Sequence, residues 1–102
     1  PYLWLALCLA AGLDGIKNKI EPPKAVNSNI FELSEKEMKK AKIESLPSSL
    51  HQAIKEMEAD PFIREVLGDH VFSKYVEAKR AEWDNYRLQV TQWEIDEYLY
   101  KI

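Results

Sequence analysis

Hydrophobic and polar positions divide this chain into stretches of different rhythm. From Pro1 to Leu13 the sequence reads PYLWLALCLAAGL, apolar or aromatic after Pro1 except for Gly12, and the first charge is Asp14. A helix of this composition has no polar face and needs cover all round. Its thirteen residues span only ~20 Å as a helix, short of the roughly 30 Å hydrocarbon core of a bilayer. No basic segment stands before it, and Leu5-Ala6-Leu7-Cys8 puts a bulky Leu where a lipoprotein signal needs a small residue. The pattern predicts a buried core helix rather than a membrane span or a targeting segment. Gly12 is expected to allow close packing and Gly15 to end the helix in a left-handed position.

Lys17 to Asn29 reads as a connector, because Pro22-Pro23 removes two donors and pushes the preceding residue into extended geometry. Asn27-Ser28-Asn29 adds turn chemistry. Lys17 and Lys19 are read as solvated charges at a helix end. Ser34 followed by Glu37 is a capping-box pattern opening a short exposed helix over SEKEMKKAKI, anchored by Met38 and Ile43. Glu35 and Glu37 interrupt its lysines, which makes this a solvated face.

From Leu46 onward a helical period takes over. Ser49 with Gln52 predicts a second capping box, and Leu50, Ala53, Ile54 and Met57 recur at i, i+3, i+4, i+7. Asp60 is expected to cap a helix with Pro61 at its first position and Phe62, Ile63, Val66 and Leu67 inside; Gly68 ends it. Asp69 can cap a longer helix with one apolar stripe of Phe72, Tyr75, Val76, Trp83, Tyr86 and Val90. Thr91 with Glu94 marks another capping box, and Ile95, Tyr98, Leu99 and Ile102, with Trp93 nearby, form the stripe of a last short helix. Twelve residues, Thr91 to Ile102, are too few for a stable helix alone in water, so this stripe has to dock. No segment alternates as a strand does. The fold class is all-α.

Composition changes this picture only by exclusion. A chain of 102 residues that is 46% hydrophobic, with a net charge of −3, is one domain at most and has no electrostatic case for nucleic acid. The single cysteine, Cys8, falls in the apolar run and reads as a buried hydrophobe in a reducing, cytoplasmic setting. His51 and His70 have no ligand or carboxylate at i+4 on a shared face and read as surface or helix-cap residues. No phosphate loop, Ser-His-Asp set or metal-ligand spacing is present.

Ala10 to Ile20, AAGLDGIKNKI, resembles the start of the last stretch of bacterial type I glutamine synthetase. In that family a Pro-Tyr-Leu-opened apolar helix runs into Ala-Gly-Leu-Asp-Gly-Ile-Lys-Asn-Lys. Pro1-Tyr2-Leu3 and Ala11 to Lys19 match it nearly letter for letter, and weaker matches continue to Ile102. Trp4 departs from the family's smaller residue and asks for room in the core. The resemblance implies an intact enzyme that forms glutamyl phosphate from glutamate and ATP, with Mg2+ or Mn2+, and lets ammonia displace the phosphate. The family's metal, ATP and glutamate ligands precede the matched stretch, so no catalytic, cofactor-binding or metal residue is assigned here. Some relatives carry a modifiable Tyr in an Asn-Leu-Tyr-Asp-Leu context, where its hydroxyl accepts a nucleotidyl group. This chain has Phe31 in Asn29-Ile30-Phe31-Glu32-Leu33, which has no such oxygen, and its ring is expected to tuck the loop down.

The resemblance further implies a homo-oligomer of two stacked rings, in which residues 91–102 form an inter-subunit tail. Trp93, Ile95, Tyr98, Leu99 and Ile102 are then its anchor, with Glu94, Asp96 and Glu97 at the rim. The resulting expectation is a short helical array, residues 1–102 forming one segment of the larger α+β glutamine synthetase catalytic domain. Its first helix can also drive self-association. The residues alone leave a second reading, a stand-alone helical interaction module. Beginning at Pro1, inside the matched motif and without Met, points to a piece of a longer protein.

Overall fold

The computed structural model describes residues 1–101, and among them the regular elements are all helical. Ile102, the last member of the tail stripe, lies outside the described residues. The chain forms two compact units, Pro1–Pro47 and Ser48–Ile102.

In the first unit, α1 spans Tyr2–Lys17 and contains no buried residue. This corrects the expectation of a covered core helix: Tyr2 is 85% and Trp4 66% exposed, and Cys8 is exposed too. A Cβ placed at Gly12 would meet no heavy atom within 4 Å, so the close packing expected there is absent as well. The helix also runs past Gly15. Its end is formed by Lys19, in the left-handed region at φ 53°. The Ile20 N–H donates to the Gly15 carbonyl (2.9 Å) and the Lys19 N–H to that of Ile16 (3.3 Å), the paired bonds of a Schellman end.

A single 3-10 turn, Ile30–Glu32, precedes α2, Glu35–Lys40. Here the capping box is complete: the Ser34 hydroxyl accepts from the Glu37 N–H and the Glu37 carboxylate from the Ser34 N–H. The end of α2 repeats that of α1, with Lys42 at φ 55° and the Ile43 N–H donating to the Met38 carbonyl (2.9 Å). Met38 and Ile43, the two expected anchors, are half-buried.

The second unit holds the core. α3, Leu50–Ala59, starts at Ser49, whose hydroxyl accepts the Gln52 N–H at 3.2 Å. The predicted box does not close, because the Gln52 amide oxygen accepts instead from the N–H and hydroxyl of Ser48, at 3.0 and 3.1 Å. α4, Pro61–Arg87, begins as expected with Asp60 Oδ1 accepting the Phe62 N–H (2.9 Å) and Pro61 in the first turn. Gly68 breaks the helical path at φ 75°, ψ 156°, a region that favours glycine. Asp69 does not cap the long arm beyond the break; its carboxylate takes a hydrogen bond from Arg64 at 2.9 Å.

Ile54, Phe72 and Val76 are buried, and Leu50, Met57, Ile63, Leu67 and Trp83 pack against them. Arg80 reaches across to Glu58 at 2.5 Å, joining α3 and α4 outside this core. Of the long stripe, only Phe72 and Val76 are buried; Trp83 is half-buried and Tyr75 is exposed. Tyr86 is exposed, and Val90 lies beyond the helix and in solvent. Thr91 and Glu94 form the predicted capping box over α5, Gln92–Glu94, which runs into a π turn at Ile95–Leu99.

Candidate functional site

The last helical stretch departs from the α-period on which its stripe was predicted. A π turn bonds i to i+5 and so widens the helix. Trp93 and Tyr98, five residues apart, therefore share a face, with ring centroids 5.8 Å apart and planes at 88°. Edge-to-face pairs of this kind are favourable beyond the area they cover. Trp93, Tyr98 and Leu99 are nonetheless exposed, and Ile95 is half-buried.

The polar residues around these side chains are tied to one another. The Glu94 carboxylate accepts the Thr91 N–H at 2.7 Å and its hydroxyl at 2.8 Å. Those two bonds, the backbone one foremost, hold the Glu94 carboxyl below its ordinary value. Asp96 accepts from the Gln92 amide at 2.7 Å, and Glu97 pairs with Lys101. The start of the tail is thus fixed locally while its apolar groups face outward.

Phe31 sits at the middle of the Ile30–Glu32 turn with its ring 99% exposed. It does not tuck the loop down. The turn is held instead by Asn29, whose Oδ1 accepts the Phe31 N–H at 3.2 Å and whose amide donates to Glu32 at 2.9 Å. These bonds are complete without the ring, which leaves it free to point into solvent.

Between α3 and α4 lies an open groove of about 550 Å³, bordered by His51, Lys55, Glu58, Arg80, Trp83 and Asp84 among others. His51 stacks on Trp83 at 5.6 Å with planes 22° apart. The sequence gives no hint of this pairing, because the two residues lie thirty-two positions apart on different helices. The groove's acids are matched by bases: Glu58 by Arg80 at 2.5 Å and Asp84 by Arg87 at 2.8 Å. On the outer face of α4, Lys74 with Glu77 and Lys79 with Glu82 form exposed pairs. In each, the hydrogen bond to its partner raises the lysine, and the same contact lowers Glu77.

Among the described residues, no three His, Cys, Asp or Glu side chains converge as a metal site requires. No described helix is long and apolar enough to cross a membrane. The exposed apolar groups of the described residues are α1, the Phe31 turn and the Trp93–Tyr98 pair.

Comparison with known proteins shows which family the chain is similar to. Residues 1–98 match the family model for the glutamine synthetase catalytic domain. The chain is 54% identical over 99 residues to a glutamine synthetase of Methanosarcina mazei, covering 97% of this chain and 22% of that protein. It is 50% identical to one from Methanocaldococcus jannaschii and 48% identical to one from Thermus thermophilus, with the same coverage in both cases. The chain thus spans about a fifth of the length of these relatives, and the matched fifth is their C-terminal part.

Proposed function

The chain belongs to the glutamine synthetase family, and we propose on that footing that it is an assembly and support segment of a cytoplasmic glutamate–ammonia ligase. In this reading the intact enzyme makes glutamine from glutamate, ammonia and ATP with Mg2+ or Mn2+, on residues outside this stretch. The segment holds subunits together. α1, uncharged from Tyr2 to Leu13 and without a buried residue, packs into the rest of the catalytic domain, and when deprived of that cover it associates with further copies. Phe31 leaves the enzyme without the hydroxyl that Tyr-bearing relatives offer for modification, so product binding and protein partners regulate it.

The observation that carries the proposal is the state of the tail. Its start is fixed by a complete capping box at Thr91 and Glu94, while Trp93, Tyr98 and Leu99 stay exposed. Burying each large apolar side chain is worth roughly 1.5–3 kcal/mol, so Trp93, Ile95, Tyr98 and Leu99 offer a facing subunit on the order of 10 kcal/mol of gross driving force. Ile102 extends the same anchor in sequence.

The test is deletion of Thr91 to Ile102 from the full-length enzyme, followed by sedimentation. Double rings are expected to separate into single rings whose subunits keep their helical content. A truncated enzyme that still sediments as a double ring makes the tail local core and defeats the anchor assignment.

A further inference from the structure

We propose that Arg64 is a latch that holds α4 bent at Gly68. Gly68 departs from helical geometry at φ 75°, ψ 156°, and a Cβ placed there would meet no heavy atom within 4 Å. The space beside the Gly68 Cα is open. The angle between its short arm, residues 61–67, and its long arm, residues 69–87, must be set by groups that reach across the break.

Arg64 makes two contacts of this kind, beside the apolar packing of Ile63 and Leu67 on Phe72 and Val76. Its guanidinium donates to Asp69 Oδ1 at 2.9 Å and lies over the Phe72 ring, 4.2 Å from the centroid. Neither contact is compatible with a straight helix. Residues five apart do not face one another on an α-helix, where neighbours are three or four apart. Residues eight apart are separated by about 12 Å along the axis, beyond comfortable reach of a side chain stacking flat on a ring. Bending at Gly68 brings Asp69 and Phe72 to the same guanidinium at once. Both contacts therefore belong to the bent state alone, and such a difference in interaction is what biases a two-state element.

Competition for Arg64 is limited by the pairing of its neighbours. Glu58 and Glu77 border the same depression as Arg64 and Phe72. Glu58 is engaged by Arg80 and Glu77 by Lys74. The bent arm carries Ile63 and Leu67 onto the core formed by Ile54, Phe72 and Val76, and that apolar packing holds α3 on α4 independently of Arg64. Each contact is weak in isolation, an ion pair in solvent and a cation over an aromatic face. Together they favour the bent form roughly tenfold.

Hydrogen exchange measured by mass spectrometry on the full-length enzyme tests this. Arg64→Ala is expected to speed exchange roughly tenfold in peptides covering residues 61–72, with α3 and the part of α4 beyond Val76 unchanged. Unchanged rates at 61–72 overturn the latch. An equal rise throughout α3 and α4 also overturns it, since Arg64 would then be ordinary packing. Asp69→Asn alters an exposed carboxylate and does not threaten folding. It is expected to give a smaller rise confined to the same peptides, and no rise there refutes the ion-pair half on which the latch depends.

Discussion

Replacing Phe72 by Ala should unfold the second unit, and the size of the effect is set by its burial. Phe72 is 2% exposed and lies at the centre of a core whose other buried members are Ile54 and Val76. Truncating a buried Phe costs about 3–5 kcal/mol, the lost transfer energy plus the cavity left behind. The stacked Arg64 guanidinium loses its aromatic partner as well, a further ~0.5–1 kcal/mol. A unit running from Ser48 to Ile102 has about 3–8 kcal/mol to lose, at roughly 0.05–0.15 kcal/mol per residue. The substitution removes between roughly half and all of it. In a urea titration followed by far-ultraviolet circular dichroism, a slope near ~1 kcal/mol per molar converts this into a midpoint lowered by about 3 M or more. Ile54→Val, which removes one methylene from the same core, is expected to cost about 0.5–1.5 kcal/mol and to move the midpoint correspondingly less. A Phe72→Ala midpoint no lower than that of Ile54→Val would show that burial of this ring does not hold α3 on α4.

Two further expectations concern the tail start and the Phe31 turn. The Thr91 backbone and hydroxyl hold Glu94 below the ordinary carboxylate value of 4.5, so its cap contributes fully above that value and is lost as pH falls through the lower folded one. Glu94→Gln should abolish that acid loss of tail helicity in an NMR titration, and a wild-type tail insensitive to acid would refute the linkage. At the turn, Phe31→Tyr places a phenol on a ring that is 99% exposed. The full-length variant should gain a nucleotidyl group from the transferase that modifies Tyr-bearing relatives, seen as added mass on this peptide. Absence of added mass on the variant would mean that the surrounding loop, beyond the missing oxygen, departs from the modifiable form.

Most of the local structure was legible in the sequence because its determinants lie within a few residues. The Ser34–Glu37 and Thr91–Glu94 boxes both formed as the spacing predicts. Asp60, Pro61 and Gly68 start and break α4 where their chemistry requires. Other local signals were outcompeted by neighbours. Ser48 stands one residue before Ser49 and offers Gln52 a hydroxyl and an N–H together, so a residue with the same chemistry captured the second half of that box. Gly15 lost the helix end to Lys19, because a Schellman end needs one left-handed residue and a lysine supplies it at only a modest steric cost. In the tail, periodicity alone could not distinguish an α stripe from a π turn, since the distinction lies in which carbonyl each N–H chooses.

Burial was legible only where the sequence carries both partners. α3 and α4 each present an apolar face, and the two faces meet at Ile54, Phe72 and Val76. Hydrophobic period therefore placed Ile54, Phe72 and Val76 on the facing stripes, together with Ala53, Tyr75, Tyr86 and Val90, which the structure leaves exposed. α1 has the stronger apolar signal and no buried residue. The same rule accounts for both outcomes: composition states that a helix requires cover, whereas cover itself is a property of two surfaces. The tail obeys it too, with an aromatic pair organised by its own π turn and still facing outward. An exposed apolar helix of this kind is what soluble proteins rarely leave uncovered. That is why the proposed role rests on assembly.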